Sequence, residues 1–204
     1  MRIISGTKRG MKLLPPKSNT TRPVIDRVKE SIFDVLYKYN LIEDRIVADL
    51  FCGTGSFGLE ALSRGAKQAV FVDMDRSVIE VLRKNIAKAD FDLQSRVICA
   101  NAFKVGAPNQ NSFISKFSLI FVDPPYEMSK ETSENSQLGG LLKLLTGQIS
   151  DDGLVIVRTE KGVNLLDSYG YLRIIDKRIW SSMAVAFLAL KKDDKQTDGN
   201  TDNS

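Results

Sequence analysis

The rhythm of apolar positions changes near residue 45 and divides the chain into two kinds of structure. Ahead of that point, Arg2-Ile3-Ile4-Ser5 and Met11-Lys12-Leu13-Leu14 read as two short strands around a turn bounded by Gly6 and Gly10. Pro15-Pro16-Lys17-Ser18-Asn19-Thr20 reads as a loop. Val28, Ile32, Val35 and Leu36 then recur at helical spacing, which predicts a helix from about 26 to 37 with Asp26 as its N-cap.

After residue 45, short apolar runs alternate with helical patterns. Buried strands are predicted at 45–51, 69–72, 97–99, 118–122 and 154–157. Helices are predicted up to Ser63-Arg64-Gly65, over about 76–89 and over about 137–146. Near-continuous apolar strands separated by helices imply a parallel sheet covered on both faces. The last two runs, 171–175 and 183–190, are joined by a short connection and should pair antiparallel at the sheet edge. The expected fold is therefore α/β and Rossmann-like. It has a mostly parallel seven-stranded sheet, an antiparallel C-terminal edge hairpin, and a small basic β-hairpin at the N-terminus. Residues 1–24 form the basic hairpin and loop, 25–190 the main domain, and 191–204 a polar tail expected to be disordered.

Composition narrows the chemistry. The 204 residues include no histidine, which removes His-based triads, His general acid–base steps and His metal sites. No metal is expected. Cys52 and Cys99 are too few for a disulfide framework; no apolar run approaches the roughly 20 residues of a membrane span, and the start lacks a signal-like stretch. A cytoplasmic protein without membrane association is expected. The net charge of +4 is unevenly spread: residues 1–38 carry nine Lys and Arg against three acids, giving +6, so the remainder sums to −2. A basic arm on a near-neutral body suits a polyanion.

Two motifs carry candidate chemistry. Asp49-Leu50-Phe51-Cys52-Gly53-Thr54-Gly55-Ser56-Phe57-Gly58 contains G-x-G-x-x-G between a predicted strand and a predicted helix. Asp73 follows the next strand, twenty residues past Gly53, where a carboxylate can accept from both ribose hydroxyls. A dinucleotide and S-adenosylmethionine both fit this half-site. The second would place its ammonium near a strand-end carboxylate such as Asp49.

Asp123-Pro124-Pro125-Tyr126, after the fourth strand, favours the second. Two prolines fix φ and remove two backbone donors, leaving a rigid turn with outward carbonyls. Asp123 and the Pro124 carbonyl can accept both hydrogens of an exocyclic amino group, and Tyr126 can stack on its base. Localising the nitrogen lone pair in this way lets it attack a methyl carbon without histidine, metal or covalent nucleophile.

That motif is the signature of the amino methyltransferases that use S-adenosylmethionine. More specifically, the chain resembles the bacterial 16S ribosomal RNA guanine-N2 methyltransferases. Arg2-Ile3-Ile4-Ser5-Gly6, Arg9-Gly10-Met11-Lys12-Leu13, Thr21-Arg22-Pro23, Asp26-Arg27-Val28-Lys29-Glu30, Phe33, Asp49–Gly58, Leu59–Gly65 and Asp123–Tyr126 carry the likeness, which spans roughly residues 1–190. It implies the class I methyltransferase fold. Asp49, Gly53 and Gly55 would surround the methionyl group, Asp73 the ribose, and Asn101-Ala102 the adenine, with Phe51, Thr54 and Met74 completing the cofactor set. Asp123, Pro124, Pro125 and Tyr126 would hold the guanine. Arg2, Lys8, Arg9, Lys12, Arg22 and Arg27 would contact RNA. The implied partner is 16S ribosomal RNA, within a 30S particle or assembly intermediate, and the enzyme would act as a monomer, its base leaving the stack to reach Asp123. The chain departs from the family pattern at Trp180-Ser181-Ser182-Met183, where a glycine-containing turn is expected, and at Cys52.

Other readings have discriminating features. A DNA amino-methylase would need a recognition insert, and 127–136 is short for one. A protein glutamine methylase would carry Asn where Asp123 stands. A non-catalytic RNA-binding assembly factor would not need the intact Asp-Pro-Pro-Tyr motif. A dinucleotide oxidoreductase would need hydride-transfer residues that the chain lacks.

Overall fold

The chain's computed structural model describes residues 1–16, 26–108, 116–180 and 182–191. The apolar runs become strands β1 (Ile46–Leu50), β2 (Gln68–Asp73), β3 (Ser95–Cys99), β4 (Phe117–Val122) and β5 (Ile149–Glu160), paired parallel. β6 (Ser168–Tyr169), β7 (Leu172–Trp180) and β8 (Met183–Leu190) add an antiparallel edge. The spatial order is β3-β2-β1-β4-β5-β8-β7-β6. This is the class I methyltransferase architecture, mostly parallel and closed by a C-terminal hairpin. It has one strand more than the seven expected, the two-residue β6.

Period-two alternation along the strands builds two cores. Val47, Phe71, Leu119, Phe121 and Ile156 face α1 (Asp26–Lys38), α2 (Ser56–Ser63) and α3 (Arg76–Lys88). Ala48, Leu50, Val70, Val72, Ile120 and Val157 face the other way, toward α4 (Ala102–Val105) and α6 (Gln137–Leu145). No helix among the described residues is long and apolar enough to cross a membrane.

Several boundaries differ from expectation. β7 runs on through Asp176 to Trp180, because an edge strand can put polar side chains into solvent; a register shift between Ile174 and Asp176 accommodates it. Trp180 packs on the core and pairs with Met183 across the hairpin. The short helices α4 and α5 (Tyr126–Ser129) lie below the length that periodicity detects. The N-terminal segment closes on one antiparallel bridge, Arg2 opposite Lys12, instead of two strands. Its Ile3 and Leu13 are buried in the same core as the sheet. Arg22, Ser181 and residues 192–204, including most of the polar tail, lie outside the described residues.

After β1 the chain moves to β2 and β3 on one side, then crosses to β4 on the other. The crevice outside the carboxyl ends of β1 and β4 is the switch point where such folds bind ligands.

Candidate active site

Strand register delivers three carboxylates to that crevice. Asp49 precedes the last residue of β1, Asp73 ends β2, and Asp123 follows β4 with its N–H donating to the Leu50 carbonyl at 3.3 Å.

Asp49 is 1% exposed. Its Oδ2 accepts from the Gly58 N–H at 2.8 Å, supplying the first turn of α2 with the acceptor that Gly55, its N-cap, lacks. Its Oδ1 is buried without a partner. Burial pushes the carboxyl well above the usual range; the Gly58 N–H opposes this, and Asp123 and Asp73 add to it. A buried carboxylate oxygen with nothing to accept from fits the ammonium of a methionyl group.

The glycine loop is shaped for close approach. A Cβ at Gly53 would meet nothing within 4 Å, so this turn borders open space. Gly55 sits at φ +90°, and a Cβ there would strike Leu82 and Leu59. A Cβ at Gly58 would enter the Phe71 ring, so this glycine sets how closely α2 approaches β2. Phe51 adopts φ +57°, a left-handed conformation costly for an aromatic residue, and its ring lies 4.7 Å from that of Phe103. Asp73 accepts from the N–H of Gly53 and of Asp75, both at 3.0 Å. It therefore holds the loop.

Met74 is exposed beside it, Asn101 caps α4 by accepting from the Phe103 N–H at 3.0 Å, and Ala102 is buried. The Thr54 hydroxyl is buried without a partner. Burial pushes the Cys52 thiol well above its usual range, which fits a small hydrophobe and not a nucleophile. These residues fit S-adenosylmethionine: a dry acceptor for its ammonium, a cleared glycine turn, and a carboxylate at the end of the neighbouring strand.

At Asp123 the structure adds a residue that motif reading missed. The parallel register Val122↔Val157 sets Asp123 beside Arg158 of β5. Arg158 Nε donates to Oδ1 at 2.6 Å and Nη2 to Oδ2 at 2.7 Å. The side chains are 9% and 15% exposed, so the carboxylate keeps an open side while the guanidinium is covered. Burial raises the Asp123 carboxyl, and Arg158 holds it back. Pro124 is buried, Pro125 exposed, and Tyr126 half-buried with its hydroxyl lacking a partner. The available signal was positional. Arg158, like Asp73 and Asp123, is a charge at the carboxyl end of an apolar strand run.

The basic arm is sewn onto α2. Glu60 accepts from the N–H groups of Ile4 and Ser5 at 2.7 and 3.0 Å, and Ser63 Oγ donates to the Ser5 carbonyl at 2.6 Å. Asn85 of α3 accepts from the Leu14 N–H at 2.7 Å and donates to the Thr54 carbonyl at 3.0 Å, so the arm's end is fastened to the glycine loop. Arg9, Lys12 and Arg27 are exposed. Arg2 pairs with Asp26 and Lys8 with Asp90. Asp26 thus serves as an ion-pair partner in the first turn of α1. Lys29 is a correction to the charge count: it is buried against Glu60 and adds nothing to the basic surface.

The profile of the family described as Conserved hypothetical protein 95 matches residues 1–189. Ribosomal RNA small subunit methyltransferase D of Escherichia coli (strain K12) is 36% identical over 162 residues, 78% of this chain and 75% of that protein. The structure of the Escherichia coli protein yhhF superposes with a TM-score of 0.76 at 30% identity, covering 94% of this chain and 98% of that one. An RNA methyltransferase from Salinibacter ruber, solved in complex with S-adenosyl-L-homocysteine, shares the fold, with a TM-score of 0.59 at 14% identity over 84% of this chain and 95% of that one. With that match and a glycine turn, strand-end carboxylates and Asp-Pro-Pro-Tyr at one switch point, the chain belongs to the Conserved hypothetical protein 95 family of class I methyltransferases.

Proposed function

We propose that this chain methylates the N2 amino group of a guanine in small-subunit ribosomal RNA, with S-adenosylmethionine as donor. The observation that carries the reading is Asp123, a largely buried carboxylate with its open side at the same strand ends as the unpartnered Asp49 oxygen. Asp49, Gly53, Gly55 and Asp73 hold the donor, with Phe51, Thr54, Met74, Asn101 and Ala102 around it. When bound, S-adenosylmethionine would supply a methyl carbon on a sulfonium: the amino lone pair would form the N–C bond as the S–C bond breaks to a neutral thioether, and the displaced amino proton would leave to solvent.

The protein's own groups prepare that lone pair. A carboxylate has about four acceptor positions, and Arg158 occupies two, so Asp123 retains two for the substrate. An ionised carboxylate matches guanine, whose N1–H and N2–H donate side by side. Adenine sets its amino group beside a ring acceptor, which a carboxylate repels. The Pro124 carbonyl accepts the second amino hydrogen, and Tyr126 flanks the ring. Arg2, Lys8, Arg9, Lys12, Arg22 and Arg27 supply phosphate contacts from the arm. The 36% identity to a protein named for small-subunit ribosomal RNA methylation supports the substrate class.

The test is incubation with radiolabelled donor and three acceptors: 30S particles, naked 16S RNA and DNA, followed by nucleoside digestion. Label on guanine N2 in 16S RNA is expected. Label in DNA, or on adenine N6, refutes the reading.

A further inference from the structure

Resting on that reading, we propose that Arg158 is a positioning residue for methyl transfer: its fork orients the Asp123 carboxylate so that one acceptor on each oxygen faces the target amino group. Asp123 follows a strand and opens a proline turn, so its backbone is fixed while its carboxylate can still rotate about χ2. Two parallel bonds from a planar guanidinium remove that rotation, where a single contact would leave it.

The pair is built for this task. Arg158 is 8% exposed, and its Nη1 is buried without an acceptor, so Asp123 is what anchors the guanidinium. The charged and titratable groups that face the Asp123–Arg158 pair are Asp49 from β1 and Tyr126 from α5, with Arg158 itself reaching Asp123 from β5. Arg158 is the cation among them. It offsets the burial that would otherwise favour a protonated Asp123, and a protonated oxygen would donate to an amino group's surroundings instead of accepting from it. Asp49 and Asp73 face the cofactor half of the crevice, so the Arg158 fork acts on the substrate half alone.

The experiment uses the full chain with Arg158→Met, Arg158→Lys, and Arg158→Met combined with Asp123→Asn. Methyl transfer to the RNA acceptor is followed across pH at saturating donor, alongside thermal unfolding and calorimetric titration with S-adenosylhomocysteine. Arg158→Met should lower kcat about 100-fold, the scale of a misplaced reacting group. It should also move the acid limb of the pH profile to higher pH and leave S-adenosylhomocysteine affinity unchanged. Asp123→Asn in that background should abolish the limb without restoring kcat, because an amide has no charge to titrate and turns one of the two acceptors into a donor. Arg158→Lys keeps the charge but not the fork; it should show a lowered kcat with a smaller limb shift, and it serves where the Met variant does not fold. Wild-type kcat and limb in either single variant would overturn the role of Arg158 while leaving the proposed function intact. Absence of transfer to RNA by the wild type would overturn both.

Discussion

Lys29 Nζ lies 3.1 Å from Glu60 Oε2, and neither side chain is more than 1% exposed. Lys29 also donates to the Arg2 carbonyl at 2.7 Å, while Glu60 receives the Ile4 and Ser5 N–H groups and Arg64 Nε. Burial lowers the Lys29 ammonium's pKa, and Glu60 works against that shift. The pair joins α1, α2 and the arm behind the glycine loop. Removing one member leaves a buried charge without its partner, so Glu60→Ala should destabilise the fold by about 3–5 kcal/mol. At roughly 2–4 °C per kcal/mol for a chain of this size, the midpoint should fall by about 10 °C. An unchanged midpoint would mean that the arm is held by something else.

Asp49 should set the pH dependence of donor binding. Its folded-state pKa is raised, so the proton it holds stabilises the fold fully below the unfolded pKa, and that contribution is lost as pH rises through the folded pKa. A cationic ammonium favours the ionised form, so binding releases the proton. Affinity for S-adenosylhomocysteine should therefore climb with pH and level off above the free-state pKa. Asp49→Asn should weaken it about 10- to 100-fold, the worth of a charged hydrogen bond, and flatten the profile. Isothermal titration at several pH values reads both effects.

Two glycines should respond oppositely to alanine. Gly58→Ala drives a methyl into the buried Phe71 ring and should cost about 1–3 kcal/mol by overpacking. Gly140, on α6, has nothing within 4 Å of its Cβ position, and Gly140→Ala should stabilise by about 0.4–1 kcal/mol. Denaturant unfolding of the two variants checks the sign of each.

RNA affinity should fall with salt through the arm. Arg9→Ala and Lys12→Ala should each reduce the slope of log affinity against log salt by about 1. Lys177→Ala, on the far edge strand, should leave it unchanged. Equal slopes for all three would place the phosphate contacts elsewhere.

Much of the site was legible because its signals are local. Asp49–Gly58 and Asp123–Tyr126 are contiguous segments, and their residue types state what the backbone and ligand need within a few positions. Arg158 was not legible as Asp123's partner, since the two lie 35 residues apart and meet only through the β4–β5 register. Lys29 was counted with the basic arm, although Ile32, Phe33 and Leu36 at helical spacing put it on the buried face of α1; only the tertiary structure sets Glu60 beneath it. Nothing in the linear sequence singles out Asn85 of α3, which fastens Leu14 to the Thr54 carbonyl.

By itself, the sequence determined the strand–helix alternation, the parallel sheet, the edge hairpin and the glycine and proline turns, because these depend on period, chain stiffness and backbone donors counted over short spans. Only the tertiary structure decided which charges are exposed and which are paired. Asp49 became a dry carboxyl with one unpartnered oxygen, Asp123 a clamped carboxylate, and Lys29 an internal strut. The physical reason is that charge states depend on burial and on neighbours brought together by strand register, neither of which linear order records.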